Sequence, residues 1–293
     1  MLAVLIVVLA SGCGFGGAGS LVGQQLVLGY LEWDENVANS TLIKVILEDE
    51  LDYERVDLKQ ADDVRPAFRG VANGETDAFL DVWMPNHRAL VAEIEDEVRL
   101  SQEPWYTGQT EYGIAVPSYM EGVDSIADLN SSGADMMIGI EPGAVLMQRI
   151  SERVIPEYDL DLSLVEASTP AMLSELQTAY EMEEPIVFLA WSPHWMNSKY
   201  DFRYLRDPKN AMGPLDEPAR LLTVTREGFE EDDPVAYALI DAMSLDEKQM
   251  NSLELAINEA EDPEHGVRNW LKREENQEAI RPWIEAAKKA QEG

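Results

Sequence analysis

The sequence holds a single cysteine, Cys13, among 293 residues. One sulfur can form neither an intramolecular disulfide nor a thiolate cage for a metal. Histidine is nearly as scarce: His87, His194 and His265 fall in no HxxxH or HExxH pattern. Bases are few as well, 22 against 56 acids, which leaves a formal net charge of -34. That deficit removes the basic footprint a nucleic-acid binder needs, and it disfavours attachment to an anionic lipid surface through charge. No metal, cofactor or nucleic-acid partner is therefore expected. What remains is globular, since 45% hydrophobic and 27% charged residues exclude collagen, low-complexity disorder and a coiled coil. The length exceeds one small core and suits two domains of ordinary size.

Charge is also missing from the start of the chain, where no ionisable side chain other than Cys13 precedes Tyr30 and no charged one precedes Glu32. Residues 2–9 form an apolar run, followed by Ala10-Ser11-Gly12-Cys13. At ~1.5 Å per residue such a run covers about half a bilayer core. It fits the apolar region of a secretory signal, with small residues before the cleavage point. A lone cysteine after small residues resembles a bacterial lipoprotein signal, in which that cysteine becomes the lipid-bearing N-terminus. A non-lipidated signal is the other reading: no Lys or Arg opens the segment, and Ala10 stands where the pattern favours Leu. Residues 14–20 (GFGGAGS) read as a flexible tether. Residues 1–25 are thus expected to be leader and tether, with Cys13 lipidated.

Beyond the leader, strand-like and helix-like segments alternate. Residues 26–31, 77–83, 136–140 and 185–191 are strand candidates. Residues 36–51 carry Val37, Leu42, Val45 and Ile46 in a helical rhythm, and 170–182 is a second amphipathic segment. Ser125 and Thr169 suit helix caps. From Pro234 the chain reads as helices to about Ala290. Such alternation predicts an α/β fold with largely parallel sheets.

One internal echo stands out. Trp83-Met84-Pro85 and Trp191-Ser192-Pro193 lie 108 residues apart. At the same offset Val56 matches Leu164, Val64 matches Met172, Phe68 matches Leu176 and Val71 matches Ala179. Each unit reads strand, helix, strand, Trp-x-Pro, which predicts two similar lobes. Ligands of open α/β sheets bind beyond the carboxyl ends of the strands. Trp83 and Trp191 occupy such ends, and Trp33 follows the first strand in the same way. Three tryptophans at equivalent places predict a shared site. A quaternary ammonium group has no N–H to donate, and aromatic faces attract it without requiring one, at ~0.5–2 kcal/mol each. Sugars also stack on tryptophan, so a methylated amine is one solution among others.

At these residues the chain resembles the glycine betaine/choline-binding proteins of ABC importers, the OpuAC-type substrate-binding family. The stretches that carry the resemblance are LEWDENVANSTLIKVILEDE, VANGETDAFLDVWMPNH, YGIAVPSYM, GIEPGAVLMQ, STPAMLSELQTAYEMEEPIVFLAWSPHWMNSKYDFRYLRDP and MSLDEKQMNSL, with WSPHWM the most specific. The resemblance implies a two-lobed periplasmic-binding fold of type II with two chain crossings, near 113–116 and 204–210. Lobe one would be 26–112 plus 212–293, and lobe two 113–211. It implies a cage of Trp33, Trp83, Trp191 and Tyr112, with His87 contacting a ligand carboxylate and Glu35 a choline hydroxyl. The backbone N–H groups of Gly143 and Ala144 would open a helix whose N-terminus attracts anions. One betaine-type subgroup has a further tryptophan in the stretch aligned with 142–146, and this sequence has none there. Trp105, Trp195, Trp270 and Trp283 are read as packing, His265 as surface, and His194 is given no role.

The expected function is an extracytoplasmic binding protein, monomeric, that delivers glycine betaine or choline to a membrane permease. Carnitine is an alternative ligand. A two-lobed secreted enzyme is the alternative class, but the only thiol lies in the leader and no pattern pairs Asp81 with Glu35 as acid and base. A sensory ligand-binding domain would call for a transmembrane segment, and none is read up to Gly293. The charge carries its own expectation. Residues 227–264 hold thirteen acids and one base, Lys248, and the whole chain has eight Lys. A surface that repels itself at low ionic strength suits a salty exterior.

Overall fold

Short apolar runs separated by turn residues form ten strands among residues 25–292, the part of the chain that the computed structural model describes. The expected leader, with Cys13 and the tether, lies outside the described residues apart from Gln25. The strands are β1 (Gln25–Tyr30), β2 (Arg55–Gln60), β3 (Ala78–Met84), β4 (Val98–Leu100), β5 (Glu111–Pro117), β6 (Met136–Ile138), β7 (Ser163–Val165), β8 (Val187–Ser192), β9 (Phe202–Tyr204) and β10 (Arg220–Arg226). They make two five-stranded sheets, ordered β2-β1-β3-β10-β4 and β7-β6-β8-β5-β9. The two orders correspond strand for strand, as the 108-residue echo predicts. Trp83 and Trp191 are each the next-to-last residue of the middle strand of their sheet.

The sheets are less parallel than the alternation of elements suggests. In each, three neighbouring strands run parallel, whereas β10 or β5 runs antiparallel to both of its neighbours. β5 and β10 are the strands that arrive from the opposite lobe. They enter at the cleft end and run the other way, needing no βαβ crossover. The crossings also shift. The sequence reading puts the first at 113–116 and leaves Tyr112 in the first lobe. β5 instead pairs with β8 from Glu111 onward, so the chain crosses between Leu100 and Glu111 and the second sheet carries Tyr112. On the return, Asp207 still accepts from Tyr158 Oη (2.6 Å), and β10 begins at Arg220.

Helices cover both faces of the first sheet. The helix Asp34–Glu50 is buried on nearly every side: Leu42, Ile43, Val45, Ile46 and Leu47 are all fully enclosed. It packs against β1, β2 and β3 on one side and against the helices Pro234–Asp241, Glu247–Asn258 and Pro263–Leu271 on the other. Each such side chain stabilises the fold by about 1.5–3 kcal/mol. The C-terminal helices start where acids cap them: Asp233, Asp246 and Asp262 accept the N–H groups of Ala236, Gln249 and His265. In the second lobe, Ser125 precedes the 3₁₀ helix Ile126–Ser131, and Asp128 Oδ2 accepts from the Ser125 N–H (2.9 Å). The helix Thr169–Met182 is capped by Ser168, one residue before the expected Thr169. The Thr169 side chain is used elsewhere, as the site shows.

Candidate functional site

Four buried polar bonds fix the turn after β1. Leu31 N–H donates to Asn36 Oδ1 (2.8 Å), Asn36 Nδ2 bonds Asn39 and Ser40, and Asn39 Nδ2 reaches the Leu80 carbonyl. This network ties the helix start to β3 and sets Trp33 at the N-cap, its carbonyl accepting from Val37 N–H. The loop after β3 is locked onto Trp83 in the same manner. His87 N–H donates to the Trp83 carbonyl (2.7 Å), and Trp83 N–H donates to His87 Nδ1 (3.1 Å). Because Nδ1 accepts, the imidazole proton sits on Nε2. Burial drives the His87 pKa down to about 3, so the ring is neutral. In the second sheet, Tyr112 and Trp191 are direct neighbours on β5 and β8.

Between the lobes these residues enclose a small cavity, lined by Trp33, Glu35, Trp83, Asn86, His87, Tyr112, Ile140 and Trp191. Trp83 and Tyr112 lie with centroids 5.5 Å apart and planes at 31°, and Trp33 stacks near His87 at 6.4 Å and 24°. The structure therefore brings together Trp33, Glu35, Trp83, His87, Tyr112 and Trp191. It adds Asn86 and Ile140, which the sequence reading misses. Asn86 Oδ1 is buried with no hydrogen-bond partner.

Gly143 and Ala144 are not among the lining residues, contrary to expectation. Ala144 is fully buried and its N–H is taken by the Glu141 carbonyl (3.0 Å). Gly143 faces Asp63 of the first lobe: a Cβ built there would stand 1.6 Å from Asp63 Oδ2. The helix they open runs from Val145 through a π segment at Ile150–Val154 to Tyr158.

Each indole lining the cavity is held by an acid. Trp83 Nε1 donates to Asp81 Oδ1 (3.1 Å), Trp191 Nε1 to Glu35 Oε2 (2.9 Å) and Trp33 Nε1 to Glu141 Oε2 (3.0 Å). With their N–H groups occupied, the rings offer the cavity π-surface rather than donors. Glu35 and Asp81 form a fully buried carboxyl pair. Burial is the main cause that raises Asp81, to about 8, opposed by bonds from the Trp83 N–H and from Glu35. Glu35 is raised well above the ordinary carboxyl range by burial and by the charges of Asp81 and Glu254. Asp81 Oδ2 is buried with no hydrogen-bond partner. Both members of the pair are thereby pushed towards their neutral forms, beside a cavity that no cationic side chain lines.

A second cross-lobe contact lies beside the cage. His194 Nδ1 accepts from Met196 N–H (3.0 Å), which leaves Nε2–H to face Asp34 Oδ2 (3.1 Å), and Trp195 Nε1 donates to Asp34 Oδ1 (2.6 Å). Burial acts to raise the Asp34 carboxyl, but His194 and the Trp195 N–H outweigh it and hold it below its usual range. Glu254, buried and without hydrogen-bond partners, is raised well above its range by burial, then by Asp34 and Asp81. His194 and Trp195, read as having no role and as packing, thus join the lobes. Trp270 donates to Ser252 within the first lobe, and His265 is exposed, as read.

Two matched sheets, two crossings and a small cavity closed between them define a two-lobed solute-binding protein of the periplasmic type. Solved structures share this fold. One is lactococcal OpuAC in its closed-liganded conformation complexed with glycine betaine, at 32% identity and a TM-score of 0.77 over 89% of this chain and 99% of that one. Another is an ABC-transporter choline binding protein in complex with choline, at 25% identity and a TM-score of 0.79 over 92% and 96%. The glycine betaine/carnitine transport binding protein GbuC of Listeria monocytogenes is 34% identical over 169 residues, which span 57% of this chain and 54% of that relative. The chain belongs to the family described as the substrate binding domain of ABC-type glycine betaine transport systems, which matches residues 24–273.

Proposed function

We propose that the chain captures a quaternary ammonium osmolyte, glycine betaine or choline, in the cage of Trp33, Trp83, Trp191 and Tyr112, and presents it to the permease of an ABC importer. The observation that carries this reading is the three indoles with occupied N–H groups around a cavity free of cationic side chains. A trimethylammonium group gains about 0.5–2 kcal/mol per aromatic face and needs no hydrogen bond. At the other end of the ligand, His87 Nε2–H and the Asn86 amide are donors for a carboxylate. A neutral Glu35 also donates to a carboxylate, and an ionised one accepts from a hydroxyl. Choline therefore stands beside glycine betaine because Glu35 lines the cavity.

Calorimetry of the full chain against glycine betaine, choline, carnitine and proline betaine tests the reading. Saturable heat with at least one, and none with unmethylated glycine, is expected. Binding of a sugar instead, with no heat from any methylated amine, overturns it. No turnover of bound choline or betaine is expected, since the acids around the cage are engaged in holding indoles. The working place is outside the cytoplasm, with lipid on Cys13 as the anchor; labelled palmitate should enter the wild type and not Cys13→Ala. Among the described residues no helix is long and apolar enough to cross a membrane. In this reading the membrane partner is a permease, each lobe meeting one half of it. Stimulation of uptake by a permease encoded nearby is the test of that partner.

A further inference from the structure

Two of the three cage indoles donate across the cleft, and they do so reciprocally. Trp191, carried by the second sheet, bonds Glu35 of the first lobe, and Trp33 of the first lobe bonds Glu141, which follows β6 in the second. Only Trp83 has its acid, Asp81, on its own strand. Trp33 and Glu141 are also 108 residues apart, the offset that relates Trp83 to Trp191. They hold the same place on the two lobes and meet across the cleft.

Glu141 lines no part of the cavity. Its carboxylate is fixed on its own lobe by Thr169, whose N–H donates to Oε1 (2.8 Å) and whose hydroxyl donates to Oε2 (2.9 Å). Thr169 is fully buried, and as the first residue of its helix it has a rigid backbone. The acceptor for the Trp33 N–H is therefore in place before the lobes meet. Separating the lobes removes that acceptor from Trp33 and Glu35 from Trp191 together.

Resting on the binding reading above, we propose that Glu141 is a positioning residue for the cage: it orients the Trp33 ring from the opposite lobe, so that closure completes the aromatic box instead of merely covering it. The chemistry asks for a carboxylate. Glu141 accepts three hydrogen bonds on two oxygens, and a glutamine, with one oxygen and one NH₂, cannot accept both from Thr169 N–H at one end and from Trp33 at the other.

The test is a double-mutant cycle on the full chain with Glu141→Gln and Trp33→Phe, the latter removing the indole N–H while leaving an aromatic ring and both Thr169 bonds. Calorimetry and stopped-flow release of glycine betaine and of choline give affinity and off-rate, and ligand-free melts check the fold. Loss of a hydrogen bond to a charged group predicts about tenfold weaker binding in E141Q, expressed chiefly as faster release. In the W33F background the same change should cost less than about twofold. Equal losses in both backgrounds, or unchanged affinity in E141Q, overturn the proposal. A readout independent of affinity keeps it distinct from the functional reading. In ¹⁵N-labelled protein saturated with glycine betaine, the indole N–H signal that W33F deletes should shift in E141Q. A wild type that binds neither solute refutes the function, whereas a Trp33 signal indifferent to E141Q refutes the positioning role.

Discussion

Replacing Gly143 by alanine should hold the lobes apart. The backbone at Gly143 has no positive φ, so alanine brings no local strain, and the whole effect comes from the methyl group. Built on the observed backbone, that carbon stands 1.6 Å from Asp63 Oδ2 and 1.9 Å from Cγ. Ordinary contact begins near 3.4 Å, so the carboxylate must recede by about 1.5–1.8 Å. One route rotates Asp63 away from its cap on Val64 N–H, which costs about 1 kcal/mol and about fivefold in affinity. The other route parts the lobes by the same distance. That stretches the Trp33–Glu141 and Trp191–Glu35 bonds beyond hydrogen-bond range, and the loss then exceeds fivefold. Calorimetric affinity for glycine betaine, with the melting temperature of the ligand-free chain as control, measures the effect. Asp63→Ala alone loses the cap in open and closed forms alike, so it should lower the melting temperature with little change in affinity. The double variant should recover most of the affinity. Wild-type affinity in G143A, or a double variant as weak as the single, would refute the argument.

Trp83→Ala or Trp191→Ala should weaken binding by about 1–2 kcal/mol or more, roughly tenfold; calorimetry showing unchanged affinity in both removes the cage. The pH dependence of stability should bend twice. Asp81, near 3.9 unfolded and about 8 folded, keeps a proton that the unfolded chain has released. Its contribution is full below about pH 4 and is lost as pH rises to about 8. His87, near 6.5 unfolded and about 3 folded, acts oppositely: its contribution is full above about pH 6.5 and is lost as pH falls towards 3. Urea unfolding across pH should therefore show Asp81→Asn flattening the alkaline limb alone. Melting temperature should climb from low salt to about 1 M, where the Debye length is about 3 Å; a flat series would leave the net charge of -34 without a role in stability.

The elements of the parallel halves are legible in the sequence because their punctuation is local. Trp-x-Pro ends a strand in each lobe, and the offset of 108 residues is visible without a structure. The crossing strands are not legible in that way. GIAV and LLTV look like any buried strand, and nothing nearby says that their partners lie across a lobe boundary. The helix Asp34–Glu50 shows why amphipathic rhythm is a weak guide: it is covered on both sides, and of the expected core positions Val37 is only partly buried. At the site, the tryptophans stand out by type and place, whereas their acids do not. Asp81 was findable, since residues two apart on a strand share a face. Glu141 was findable from the echo, at Trp33 plus 108. Asp34 with His194 and Trp195 was not, because side chains 160 and 161 residues apart leave no local trace. Gly143 carries a signal with two explanations, an exposed N–H or a close approach of chains, and the structure favours the second.

The place of β10 also bears on the order in which the chain acquires structure. β10 sits between β3 and β4, and among the described residues β4 pairs with no other strand. As the polypeptide is made from its N-terminus, β4 at Val98–Leu100 waits until Arg220–Arg226 exists before it has a neighbour. The inserted sheet has no such debt, since all five of its strands lie between Glu111 and Tyr204. The lobe in the middle of the sequence can be complete while the lobe that began first is still open at its edge. The cleft, which needs both, has to wait for β10.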